Sequence, residues 1–290
     1  MRRILLWILF SYSFCAPAQT FQHWSELVGW DGASDWKNYL IFSPKFMGPN
    51  ALTVPAIGNG SADSINSLSI YSVSHFSRGD NTYNLKLTGN YCVVKNRISV
   101  DVTWVPIEWF NVTPQVKDKR HVYFLYYDDK KAQGDIYANV NIQLLNRWRK
   151  DIHLAWRAGY RYPTSTGVGA ARYTDAPGYH FDISFAKPCS KDRLKFVGMI
   201  GFYVWQLNNN GGQNDALLYA GGLEYNYNNW RLTTGCRGYS GYRHNGDDPI
   251  VIGSSIEKRL KNISILVNLQ QGLQDYDFTS VETGVKYNFK

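Results

Sequence analysis

The feature that most restricts this chain is a long hairpin between Gly134 and Tyr162: GDIYANVNIQLL, a short basic turn, then DIHLAWRAGYRY. In the first arm Ile136, Ala138, Val140, Ile142 and Leu144 alternate with Asp135, Tyr137, Asn139, Asn141 and Gln143. In the second, Ile152, Leu154, Trp156, Ala158, Tyr160 and Tyr162 alternate with His153, Ala155, Arg157, Gly159 and Arg161. Successive side chains of a strand point to opposite faces, so each arm has one apolar and one polar side. Each arm runs ten or eleven residues, against about five or six for an ordinary strand.

The same alternation predicts twelve strands, over Ser67–Ser77, Tyr83–Val94, Arg97–Trp109, Gly134–Leu145, Ile152–Tyr162, Gly178–Lys187, Leu194–Trp205, Asp215–Tyr227, Trp230–Tyr242, Ile250–Lys258, Ile263–Gln271 and Ser280–Phe289. Their connections fall into two sets. One is short, as at Lys95-Asn96 and Asn228-Asn229; the other is longer, as at Phe110–Gln133 and Pro163–Pro177, with a brief Arg78–Thr82 turn as its exception. Short turns alternating with longer loops are how transmembrane barrels are built.

Composition narrows the surroundings. Mean hydropathy is −0.35, yet 16% of residues are aromatic, with 21 tyrosines and 10 tryptophans. A barrel in a bilayer reconciles these, because only alternate residues face lipid and aromatic rings collect at the two interfaces. A secreted, soluble β-sandwich or barrel is the competing fold. Its core would have to take in Asp135, His153, Arg157, Arg161, His180, Asp182, Glu224, Arg231, Arg237 and Glu257. Burying those side chains dry costs several kcal/mol per unpaired ion, whereas a wet lumen removes the difficulty. The expected fold is all-β, an antiparallel transmembrane β-barrel of about twelve strands.

The chain opens MRRILLWILFSYSFCAPAQ, with two arginines, an apolar core and Ala16-Pro17-Ala18. This reads as a secretory signal peptide over residues 1–18. Residues 19–65 form an N-terminal segment, periplasmic or lumenal, with one short strand over Tyr39–Phe46 and loop after it; residues 66–290 form the barrel. The formal charge of +8 falls to +6 once Arg2 and Arg3 are removed with the leader. Cys92, Cys189 and Cys236 are too sparse for a disulfide framework, and no spacing suggests a metal or cofactor site. No nucleic-acid module is visible; the expected partners are outer-membrane lipid and lipopolysaccharide, with small polar or anionic solutes.

The closing VETGVKYNFK alternates up to a penultimate aromatic. It resembles the terminal strand of bacterial outer-membrane barrels, and with the leader and loop asymmetry it implies an outer-membrane location. GDIYANVNIQLL is similar to uncharacterised porin-like barrels, including the outer-membrane family linked to aromatic-compound degradation.

The polar faces suggest a pore. Asp135, Asn139, Asn141, Gln143, His153, Arg157, Arg161, His180, Asp182, Glu224, Arg231, Arg237 and Glu257 are the expected lining, with the arginines making a cationic path for small polar or anionic solutes. The alternative is a scaffold barrel in which those arginines pair with Asp182, Glu224 and Asp135 and plug the lumen. A third reading is enzymatic. His75 and Ser77 share a strand face, and closing the hairpin over 78–82 would set them opposite Leu85 and Tyr83 on a lipid-like face with Tyr71 and Val73. That pair resembles outer-membrane phospholipase A and lipid A deacylase, which implies acyl-ester hydrolysis with Ser77 as nucleophile and His75 as base. Arg78 stands where those enzymes place Asn, and no third group is found for the imidazole.

Overall fold

The structure, a computed structural model, describes residues 21–123, 130–148, 152–190, 193–207 and 212–289. The leader expected over 1–18 and parts of the 146–151, 188–193 and 206–214 connections lie outside the described residues.

Among the described residues twelve long strands form the wall: β1 Asn66–Ser77, β2 Asp80–Val94, β3 Ile98–Val112, β4 Ile136–Trp148, β5 Ile152–Tyr162 and β6 Gly178–Ser190, then β7 Leu194–Gln206, β8 Gln213–Tyr227, β9 Trp230–Gly241, β10 Ile250–Leu260, β11 Ile263–Gln274 and β12 Thr279–Phe289. Each pairs antiparallel with its neighbours, and β1 pairs with β12 from Asn66↔Phe289 to Phe76↔Thr279, so the sheet closes. Closure leaves no free edge. A two-residue strand, Lys131–Ala132, adds to β3 near the long-loop end.

The outer face carries the apolar half of the alternation. Ile70, Phe181, Ile183, Ile200, Phe202 and Ile265 are exposed there. Exposed aromatics gather toward both strand ends: Tyr83, Trp109, Tyr160, Tyr162 and Tyr179 at the long-loop end, and Tyr91, Tyr225, Tyr227, Trp230, Tyr287 and Phe289 at the short-turn end. Such a band between two aromatic girdles matches a bilayer and its interfaces.

The first hairpin turns more tightly than expected. Ser77 pairs with Asp80 and His75 with Thr82, leaving a two-residue turn in which Gly79 takes φ 88°. Glycine reaches that conformation without the Cβ penalty. The register therefore differs by three residues, an odd number, which puts His75 on the same side as Asn84 and Lys86.

The N-terminal segment is not a strand at Tyr39–Phe46; short 3-10 turns at Trp36–Tyr39 and Pro44–Phe46 stand there instead, in keeping with Pro44, which has no backbone donor for a ladder. Residues 21–47 cover the long-loop end. Helix α1, Phe21–Val28, buries Trp24, whose Nε1 donates to the His121 carbonyl at 3.0 Å. The turn after it is closed by Asp31, which accepts from the backbone N–H groups of Ala33 and Ser34 and holds its own carboxyl down to about 2. Residues 48–63 then run through the barrel to the short-turn end as an irregular strap. Leu40, Phe42, Met47, Leu52 and Val54 share one buried cluster with Met199, Trp205, Leu218, Tyr239, Val251 and Phe278 of the wall and its loops.

Candidate functional site

An irregular chain inside a barrel presents carbonyls that no ladder satisfies, so the wall has to supply donors. It does so along the length of the strap. Near the long-loop end, Tyr276 OH donates to Pro49 O, Tyr137 OH to Ala51 O at 3.2 Å and Tyr239 OH to Leu52 O at 2.8 Å. Midway, Arg157 Nη2 reaches Ala56 O at 3.0 Å. At the short-turn end, Gln143 Nε2 donates to Gly60 O at 2.7 Å and Ser99 Oγ accepts from Asp63 N at 3.1 Å. Gly60, at φ 69°, passes so close to the wall that a Cβ would stand 2.6 Å from His153 O.

The long-loop end is closed by charge as well as by apolar contact. Arg172, from the loop after β5, is fully buried; its guanidinium donates to Glu108 at 2.7 Å, Asp80 at 2.6 Å and Thr82 at 2.7 Å, and lies over the Phe110 ring. Arg120, from the loop after β3, also reaches Asp80 at 2.5 Å. Asn50 of the strap and Tyr173 both donate to Glu108. Two carboxylates and two guanidiniums thus neutralise one another while clamping two loops and the strap to β2 and β3. Gly48 lets the strap pass the Arg172 side chain, whose Cζ would be 2.8 Å from a Cβ there.

Below this clamp lies a cavity of about 640 Å³ between strap and wall. A second, more polar space shares Asn59, Ser61, Asp63, Glu224 and Arg231 with it and extends to Asn228, Trp230 and Arg259 near the short turns. The two spaces adjoin, one reaching mid-lumen and the other the short-turn rim.

Of the residues expected to line a pore, Asp135, Asn139, Asn141, Arg157, His180, Glu224, Arg231, Arg237 and Glu257 border the cavity. Gln143, His153, Arg161 and Asp182 do not. Gln143 is bound to the strap, and His153 lies where Gly60 passes. Asp182 is 1% exposed behind Arg157, and Arg161, also 1% exposed, is held by Asp135 at 3.1 Å, Thr174 at 2.6 Å and Ala176 O at 2.9 Å.

The arginines are not a bare cationic path. Arg157 pairs with Asp182 at 2.8 Å and Arg231 with Glu257 at 3.4 Å, while Lys286 reaches Glu257 at 2.7 Å and Lys86 reaches Glu282 at 2.6 Å. Arg237 donates to the Gln270 amide oxygen. Asp101 accepts from Asn139 and Asn141 at 2.7 and 2.8 Å. The sequence reading overlooked Asp80, Asp101, Glu108, Arg120, Arg172 and Glu282. Strand parity identifies Asp101 and Glu282 as inward, Glu108 comes inward only through the irregularity in β3 opposite Leu85–Leu87, and the loop arginines leave no periodic signal.

The lipid-facing His75 and Ser77 pair is corrected by the tighter turn. His75 is 4% exposed within the lumen, and its ring nitrogens meet Ser280 Oγ at 2.7 Å and Asn84 Oδ1 at 3.1 Å. The imidazole ties β12, β1 and β2 together. The serine it meets is Ser280, which also faces inward, so neither residue is presented to acyl chains at the outer surface.

No family model and no curated protein sequence matches the chain. Among solved structures, it is similar to an outer membrane channel from Pseudomonas putida F1, with a TM-score of 0.56 at 11% identity, over 81% of this chain and 100% of that one. It is also similar to the NanC porin, with a TM-score of 0.52 at 11% identity, over 77% of this chain and 100% of that one. By wall, closure and likeness, the chain has the fold of an outer-membrane, porin-like β-barrel.

Proposed function

We propose that this protein is an outer-membrane channel for small polar solutes, with the long loops outside the cell, the short turns in the periplasm, and its own N-terminal segment as the closing element. The observation that carries the reading is the pair of adjoining polar spaces between mid-lumen and the short-turn rim, stopped at the opposite end by the strap and the Arg172 clamp. Barrels of about twelve strands lie between those filled by side chains and the wide porins. Here part of the bore is taken up by main chain rather than by wall side chains, and main chain held by single hydrogen bonds can shift without breaking the wall. Solutes reach the periplasmic half freely and pass outward when residues 40–54 move aside.

Planar-bilayer recording of the refolded mature protein tests this. Brief, infrequent openings are expected from the native chain, and more frequent ones once the strap is loosened by Phe42→Ala. Silence at every voltage in both proteins rejects the channel. Arg157→Gln should shift the reversal potential in a salt gradient toward cation preference, since it removes a positive charge that borders the lumenal space.

A further inference from the structure

We propose that the short-turn rim carries a binding site for the headgroup of an anionic phospholipid, on the outer surface where β7 to β10 adjoin. Placing that lipid in the periplasmic leaflet rests on the orientation of the channel reading; the headgroup chemistry does not.

The two rims differ in charge. In sequence the short connections read KNR at 95–97, NRWRKD at 146–151, KPCSKDR at 187–193 and KRLKN at 258–262, so basic residues far outnumber acidic ones there. The opposite rim gathers Asp118, Asp175, Asp247, Asp248, Asp275 and Asp277. Cations at that end are paired: Lys37 with Asp175, Lys45 with Asp275, Lys119 with Asp277, and both Arg120 and Arg172 with Asp80. An anionic lipid therefore meets a positive rim at one end and a balanced one at the other.

Within the basic rim one place faces lipid. Tyr227 ends β8, Trp230 begins β9 directly across from it, and Lys258 of β10 stands across from Trp230. Arg193, just before β7, accepts from Asn226 N through its carbonyl at 2.7 Å, which brings it beside Tyr227. Strand parity turns Tyr227, Trp230 and Lys258 outward, because Glu224, Arg231 and Glu257, at odd separations on the same strands, border the lumenal cavity. Arg193 Cζ lies 5.4 Å from the Tyr227 ring centre and Lys258 Nζ 4.4 Å from that of Trp230, both within cation–π range. The two rings are 46% and 41% exposed. Glu224 and Glu257 point inward and pair with Lys195, Arg231, Arg259 and Lys286. Among the described residues no carboxylate is left for Arg193 or Lys258.

Height and chemistry select the occupant. Aromatic rings at the end of an apolar band mark the headgroup level, and basic side chains there reach phosphate while their stems stay on apolar surface. One row further into the membrane, Tyr225, Leu232 and Ile256 are exposed side by side and give acyl chains an apolar bed. A phosphodiester supplies the negative charge that the two ring-held cations lack, and a guanidinium can hold two of its oxygens. An acidic protein docking from the periplasm would meet the tips of the turns instead of a surface that looks into hydrocarbon.

The mature protein in an uncharged detergent is titrated with phosphatidylglycerol, phosphatidylethanolamine and lipid A, and retained lipid is counted by native mass spectrometry. Phosphatidylglycerol should be retained about five- to thirtyfold more strongly than phosphatidylethanolamine, whose own ammonium already sits beside its phosphate. The double variant Arg193→Gln/Lys258→Gln should lose most of that preference at unchanged melting temperature, while Arg243→Gln at the opposite rim keeps it. Equal retention of the two phospholipids, or a preference that survives the double variant, overturns the site. Stronger retention of lipid A overturns it too, as does full displacement by inorganic phosphate at matched ionic strength, the mark of a site for a free anion. Conductance in bilayers of phosphatidylcholine alone tests the channel apart from the lipid. Openings there with no phosphatidylglycerol preference remove the site and keep the channel, and preference without openings does the reverse.

Discussion

The indole Nε1 of Trp205 donates to the carbonyl of Phe42 at 3.1 Å, joining the wall to a residue 163 positions earlier in the chain. Both side chains are buried, and the ring also packs against Tyr203 and Tyr239. Trp205→Phe keeps most of the apolar volume and removes the donor, leaving a buried carbonyl unsatisfied at a cost of about 1–3 kcal/mol. The docked strap should lose that much relative to the undocked one. Opening probability in bilayer recordings should rise by about five- to a hundredfold, with barrel melting little changed.

Arg172 predicts the opposite pattern. Arg172→Ala leaves Glu108 at 0% exposure without a cation and Asp80 with Arg120 alone, and breaking one side of a buried ion network costs about 3–5 kcal/mol. Limited proteolysis should cut the 163–177 loop in this variant but not in the native protein. Adding Glu108→Gln should restore most of the protection, because the carboxylate left without a cation is gone while Asp80 keeps Arg120.

Gly60 is constrained twice, by its φ of 69° and by the backbone atoms of His153 and Ala186 beside it. Gly60→Ala should therefore destabilise the strap's lower half by at least about 1–2 kcal/mol. Hydrogen exchange at Ala62 and Asp63, whose amides are bonded to Gln143 and Ser99, should speed up, while exchange in β8 and β9 stays unchanged.

The outer face should behave as a lipid face. Ile200 is 62% exposed near the middle of β7, and Ile200→Arg should reduce folded stability in bilayers by about 2–4 kcal/mol. The corresponding inward change, Thr233→Arg, should cost far less. Equal effects at both positions, or a mature chain that stays monodisperse without detergent, would remove hydrocarbon as the solvent of that face.

His75 separates a structural bridge from a catalytic pair. His75→Ala leaves Ser280 and Asn84 without the ring between them and should lower stability by about 1–3 kcal/mol, measured by unfolding in detergent. Ser77→Ala should be close to neutral. Release of fatty acid from phospholipid that disappears in Ser77→Ala would reinstate the hydrolase.

The wall was legible because alternation over eleven to fifteen residues is a repeated signal, and β5 begins and ends at Ile152 and Tyr162 as its pattern implies. Parity also placed Arg157, Arg231 and Glu257 on the inner side. The β1–β2 turn was missed because Gly79 can close a hairpin in two residues where a five-residue loop reads equally well. The strap and the clamp had no periodicity to find. Arg172 and Arg120 come from loops, and Phe42, Met47 and Leu52 belong to a stretch whose order arises only from what surrounds it.

Residue 66 begins the wall at the short-turn rim, while residues 21–47 sit at the opposite one, so the chain passes through a ring that it later completes. The closed β1–β12 seam therefore encircles a stretch of the same polypeptide. That thread is tethered by its covalent continuation into β1 on one side and packed through its folded cap on the other. On the channel reading, an opening that only slackens this cord sideways leaves it tethered to β1, ready to close the bore again.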